Sequence, residues 1–255
     1  MSKNFSNSVP TGPARRRKLS TIFLAVYWPA IFILTHIPVP QVVYKAHVSD
    51  KTLHFVTYMI LACLMWFSLD PFKRVNWRKC RVWLMILVAA IYSAADELLQ
   101  SVVERNADPM DFLANLIGVA IGVIIVSLFS FHRALLVMTA VAIFMMENLT
   151  EVDLNKLMPL ANMMFHVISY AVLSVVWMNN IAGSLNGLAG TKKIATRIFF
   201  PAVFLLFVIA SSLVLKKGFD ARNVTFSITG IICGLFFEFL VGALKKRSDD
   251  SAVKV

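Results

Sequence analysis

The chain is poor in charge. Of its 255 residues only 15% are Asp, Glu, Lys or Arg, against 58% that are hydrophobic, and the mean hydropathy is +0.74. That polar content is too small to cover a soluble globule of this size, which excludes a water-soluble domain and leaves a polytopic membrane protein. Cysteine is scarce too. Cys63, Cys80 and Cys233 stand in separate segments without CxxC spacing, so neither a disulfide framework nor a thiolate metal site is indicated. Long polar connections are missing, which leaves no room for an aqueous domain. Acidic residues number 14 against 25 basic ones, a net charge of +11 that by itself would suit a nucleic-acid partner.

What is present are eight apolar runs, each fit to cross about 30 Å of hydrocarbon: Leu19–Ile37, Thr52–Leu69, Val82–Val103, Phe112–Phe131, Ala134–Leu149, Leu157–Met178, Ile198–Leu215 and Val224–Leu244. The fifth is short. The expected fold class is all-α, a bundle of about eight transmembrane helices. Residues 1–18 read as a polar, flexible, basic tail. The run after Arg15–Lys18 is long and lacks a small-residue cleavage pattern, so it reads as a retained first helix rather than a signal peptide. With the N-terminus in the cytoplasm, 18 of the 25 basic residues fall in cytoplasmic segments, among them Arg15–Lys18, Lys73–Arg81, Lys192–Arg197 and Lys245–Arg247. This bias accounts for the net charge through orientation and anionic-lipid contact, with no nucleic acid needed. It places both termini in the cytoplasm.

The chain also repeats itself. A shift of 112 residues aligns "DKTLHFVTYMIL" with "NMMFHVISYAVL", pairing Asp50 with Asn162, His54 with His166 and Tyr58 with Tyr170. The same shift pairs Asp111 with Asn223, Gly118 with Gly230 and Gly122 with Gly234. Two four-helix units are expected, 19–133 and 134–247, followed by a cytoplasmic tail 248–255. Four spans return the chain to its starting side, so the copies share one orientation. They are chemically unequal. Asp96 and Glu97 fall opposite Val208 and Ile209, Gln100 opposite Ser212, and Asn115 opposite Ser227, so the second unit reads as a degenerate copy without the acids.

Three polar stripes stand out in the first unit. Asp50, His54 and Tyr58 follow at i, i+4 and i+8 on one helix face. Asp96, Glu97 and Gln100 share a face near the outer end of the third span, and Asp111 and Asn115 line the mouth of the fourth. Facing one another, the stripes would enclose an extracytoplasmic polar pocket, with Arg105 in the loop above it. Plainer roles compete with that one. Asp108 with Pro109 and Asp111 makes a good helix start, and Asp50 could cap the second helix. Gly118, Gly122, Gly230 and Gly234 suit close helix packing. Glu238, near the cytoplasmic end of the last span, could pair with Arg197 or Lys245. The adjacent acids Asp96 and Glu97 resist such readings best, because carboxylates below the membrane interface are costly unless paired, hydrated or protonated.

Asp50–His54–Phe55–Tyr58, Asp96–Glu97–Gln100, Arg105, Asp108, Asp111, Asn115, Gly118 and Gly122, read as DxxxHFxxY…DExxQ…R…DxxxNxxGxxxG, resemble the signature of the VanZ-like membrane family over about residues 20 to 130. The resemblance implies a protein of the bacterial envelope, in a family whose namesake is associated with resistance to the glycopeptide teicoplanin.

Three functions fit these residues. One is binding or transport of an anionic amphipathic envelope molecule, a lipid-linked precursor or polyprenyl phosphate, in the inner membrane. Asp50, His54, Tyr58, Asp96, Glu97, Gln100, Arg105, Asp111 and Asn115 would line its site. A second is an intramembrane enzyme acting on such a lipid, with His54, Asp96 and Glu97 as the catalytic candidates; no Ser or Cys nucleophile stands in a recognisable motif. Asp50, His54 and Asp96 as a divalent-metal set is a minor variant, and no cofactor is called for. A third is a structural partner of another envelope protein.

Overall fold

A computed structural model describes residues 12–36, 51–102, 108–149, 159–185, 187 and 190–252. All regular structure among them is helical: α1 Gly12–His36, α2 Lys51–Leu69, α3 Cys80–Val102, α4 Pro109–Leu128, α5 Phe131–Asn148, α6 Pro159–Ile181, a 3-10 turn Ala182–Leu185, α7 Gly190–Val214 and α8 Ala221–Ala252. Seven of the helices, α2 to α8, are long and apolar enough to cross a membrane. The protein is a polytopic helical membrane bundle, and the eight α-helices among the described residues follow the eight apolar runs in order. The ends differ where charge lies outside the runs. The first helix starts at Gly12, so part of the expected tail is helical, and α8 continues past Leu244 to Ala252. Lys and Arg are good helix formers, and a helix need not stop where its hydrophobic run does.

The outer faces are apolar. Trp83, Leu84, Leu87, Ile91 and Leu98 of α3 and Phe236, Phe239 and Leu244 of α8 are all exposed, as expected where the solvent is hydrocarbon and burial sorts residues by size and polarity rather than by hydrophobicity alone. Polar residues turn inward instead.

The described chain divides into two compact units, the first holding residues 12–36 and Leu53–Ala134, the second Lys51 and Thr52 together with the described residues from Leu135 on. In the first, α2 is the central element, with Tyr58, Met59, Leu61, Ala62 and Cys63 fully buried. It packs on α4 through small residues. A methyl group at Gly118 would collide with the carbonyl oxygen of Phe55, and one at Gly122 would lie 2.6 Å from that of Met59. In the second unit, Gly230 and Gly234 of α8 meet the Val167 and Ala171 carbonyls of α6 at 2.5 and 2.6 Å in the same sense. Each partner residue is 112 positions on, so the sequence repeat is also a repeat of backbone approach. Ile143, Tyr170, Leu173, Leu205, Val208 and Ile231 form the apolar core there.

Helix starts repeat as well. Asp108 is extended at φ −109° and its carboxylate accepts the Met110 N–H, with Pro109 opening the helix; the distance is 2.8 Å. One repeat later Asp220 Oδ1 accepts the Arg222 N–H, also at 2.8 Å. Each cap satisfies an otherwise orphaned amide and sets a negative charge at the positive end of the helix. At the far end of the first unit the charges reverse. Arg17 Nε donates to the Ser68 carbonyl at 3.1 Å near the C-terminus of α2, and Arg81 pairs with Asp70 at 3.4 Å. Glu238 takes its hydrogen bond from Asn179 Nδ2 at 3.0 Å.

Candidate functional site

Seven of the expected residues converge inside the first unit: His54 and Tyr58 from α2, Asp96, Glu97 and Gln100 from α3, and Asp111 and Asn115 from α4. All seven are buried. Each helix presents them at the same end because α2 begins there, α3 ends there and α4 begins there. Asp50 and Arg105 lie outside the described residues.

Asp96 and Glu97 divide the site in two. Neighbours on a helix point about 100° apart, so one acid turns to each side. Asp96 Oδ2 receives Tyr58 OH at 3.5 Å and Gln100 Nε2 at 3.4 Å. Glu97 Oε1 receives Asn115 Nδ2 at 3.3 Å and lies 3.6 Å from His54 Nδ1. Ser93, fully buried one turn before Asp96, was not singled out from sequence; its spacing from the acid pair on α3 was the available signal.

The proton positions follow from this chain of contacts. The Asn115 amide nitrogen must face the Glu97 carboxylate, so its oxygen faces His54, 3.0 Å from Nδ1. That nitrogen therefore carries a hydrogen and donates. The other ring nitrogen, Nε2, lies 3.8 Å from Asp111 Oδ2. His54 thus stands between two carboxylates, Glu97 on the Nδ1 side and Asp111 on the Nε2 side, while Asp96 turns to Tyr58 and Gln100. An imidazole between carboxylates is chemically able to exchange protons or to accept hydrogen bonds from a donor-rich group.

The second unit departs from the sequence expectation that it lacks the acids. His166 Nδ1 lies 3.0 Å from Ser227 Oγ and 3.5 Å from Oε1 of Glu147, an acid at the end of α5. The first unit draws its glutamate from α3, the second from the helix before α6. Comparison at a shift of 112 residues sets Glu147 opposite Thr35, so the shift cannot find an acid that has moved between helices. The available signal was a lone carboxylate at the end of an apolar run. Asn162 Nδ2 donates to Asn223 Oδ1 at 2.8 Å, so where the first unit has Asp50 and Asp111 the second has a neutral amide pair. Ser227, His166 and Glu147 are not a catalytic triad, because serine and acid meet the same ring nitrogen. Among the described residues no group of three His, Cys, Asp or Glu is arranged to hold a metal ion.

Residues 9–130, the first half of the chain, match the VanZ/LLP1 family model. No curated protein and no solved structure matches the chain.

Proposed function

We propose, from a first half that is VanZ-like, that this membrane protein binds or transports an anionic amphipathic molecule of the bacterial envelope, of the lipid-linked or polyprenyl-phosphate type. The observation that carries this reading is the network of His54, Tyr58, Asp96, Glu97, Gln100, Asp111 and Asn115 buried in helices that otherwise present hydrocarbon. So many polar groups at membrane depth are costly to keep for packing alone. Two carboxylates flanking one imidazole favour a group that donates hydrogen bonds, such as the hydroxyls or amine of a sugar. A phosphate belongs at the mouth, where Arg105 stands in the sequence.

A second feature suits an amphiphile. An open apolar depression lies beside α1, lined by Thr21, Leu24, Ala25, Trp28, Pro29, Phe32 and, from α3, Tyr92. The Tyr92 ring stacks at a tilt on Tyr58, 5.9 Å between centroids, and Tyr58 reaches Asp96. An apolar chain in the depression would thus lie one aromatic pair away from the carboxylates. A catalytic reading uses the same residues, with His54 held between Glu97 and Asp111 as acid–base partners. It differs by requiring that the bound lipid be chemically changed.

Mass spectrometry of lipids carried through gentle purification tests the proposal. A phosphorylated polyprenyl or sugar-linked lipid enriched over the membrane average is expected; only bulk phospholipids in membrane proportions would count against it. A role in teicoplanin susceptibility follows if such a lipid is the one enriched. The site must also face outward. Reporter fusions after Val75, Ala134 and Ala182 are expected to read as cytoplasmic and a fusion after Phe219 as external, in an inner membrane with both termini inside. A cytoplasmic signal at Phe219 would put both polar clusters on the wrong side.

A further inference from the structure

The second unit keeps the inner geometry of the first after losing its sequence signature. Ser227 Oγ donates to the Asn223 carbonyl at 2.9 Å, so its proton is committed and its oxygen accepts from His166 Nδ1. The histidine therefore carries its hydrogen on the same nitrogen as His54, with a glutamate at 3.5 Å in place of the 3.6 Å of the first unit. Two different helices have supplied the acid to one point in the fold.

Packing does not explain the rest of this cluster. Tyr170 is fully buried and its hydroxyl faces Glu147 and Ser227, yet among the described residues it has hydrogen-bond geometry to neither. Buried polar groups are rarely left so. A hydroxyl that donates to Glu147 and accepts from Tyr170 would satisfy both.

Among the described residues the turn into α8 is cationic. Lys216, Lys217 and Arg222 are exposed there beside Asp220, which lies 3.7 Å from Arg222, and Lys217 stands one repeat after Arg105. Asp220, Asn223 and Ser227 share a helix face, and the seven steps from the first to the last span about 10 Å of helix axis. That is the scale of a phosphorylated sugar headgroup, with its anion outside and its hydroxyls within.

We propose that the second unit is a second binding site for an amphiphile with a phosphorylated, hydroxyl-bearing headgroup, lined by Glu147, His166, Tyr170 and Ser227 and entered past Lys216 and Lys217. It rests on the ligand class proposed for the first unit and adds a second molecule per chain. The test is to add a short-chain polyprenyl-phosphate sugar to delipidated full-length protein in detergent and count bound molecules by native mass spectrometry. Wild type is expected to hold two, Glu147→Gln one, Glu97→Gln one and the double variant none. Tyr170→Phe, which removes a single oxygen and keeps the ring, is expected to weaken the second event at least tenfold and guards against misfolding of Glu147→Gln. A wild type that holds one molecule, or two that persist in both Glu147→Gln and Tyr170→Phe, overturns the second site and leaves the first intact. A wild type that holds none overturns the ligand class and both sites with it.

Discussion

Alanine at Gly118 is expected to deplete the protein from the membrane and to lower its melting temperature in detergent sharply. The added methyl would collide with the Phe55 carbonyl oxygen, and a backbone atom cannot rotate aside as a side chain does. Helices α2 and α4 would have to separate along the line that seats His54 against Asn115, 3.0 Å apart. Overpacking of this kind costs roughly 1–3 kcal/mol in a close-packed interior, and lost contacts between the two helices add to it. Gly230→Ala is expected to act alike in the second unit, where the Val167 carbonyl lies 2.5 Å from the new carbon. Gly242 meets nothing within 4 Å, so Gly242→Ala is expected to be neutral or slightly stabilising, since alanine is the better helix former. Equal melting temperatures for Gly118→Ala and Gly242→Ala would remove the close approach from the account.

Glu97→Gln is expected to do the opposite, sparing the fold and abolishing ligand retention. Glutamine keeps an oxygen to accept from Asn115 Nδ2, now at 3.3 Å from Glu97, and nearly the same volume, so the packing of α3 on α4 is retained. What goes is the charge. Hydrogen bonds to a charged partner contribute roughly 1.5–3 kcal/mol, a weakening of about ten- to a hundredfold in affinity. The readouts are lipid carried through purification and, in cells, glycopeptide sensitivity, each beside the amount of protein in the membrane. A variant that is scarce in the membrane would assign Glu97 to folding instead.

Much of this architecture was legible because hydrocarbon imposes strict rules. Apolar runs must become helices, so the eight segments followed from hydropathy, and "ADPMD" announced the α4 start through an acceptor, a proline and an acid in the right order. The repeat carried further: one shift predicted that Gly118 and Gly230 would meet the same part of a partner helix. The divided roles of Asp96 and Glu97 were not legible, because adjacent residues diverge by about 100° and only the packed neighbours show which faces Tyr58 and which His54. Glu147 was missed for a different reason. Comparison at a fixed shift assumes that a function stays on its helix, whereas the bundle needs only that an acid reach the same place. Glu238 could pair with Arg197 or Lys245 by sequence; among the described side chains the Asn179 amide on α6 meets it, and the Lys245 side chain lies outside them.

The central claim is that the buried cluster of the first unit serves a ligand and not only the bundle. The double variant His54→Gln/Glu97→Gln tests it most directly. In a scaffold, each single change strands a buried charge and destabilises, while removing both members of the pair restores stability together with whatever the intact protein does. In a ligand site the neutral pair packs but offers the wrong groups. Melting temperature in detergent and retained lipid are measured on the same preparation. The account predicts a double variant that melts near wild type and retains no enriched lipid; recovery of both stability and lipid retention in the double variant would contradict it.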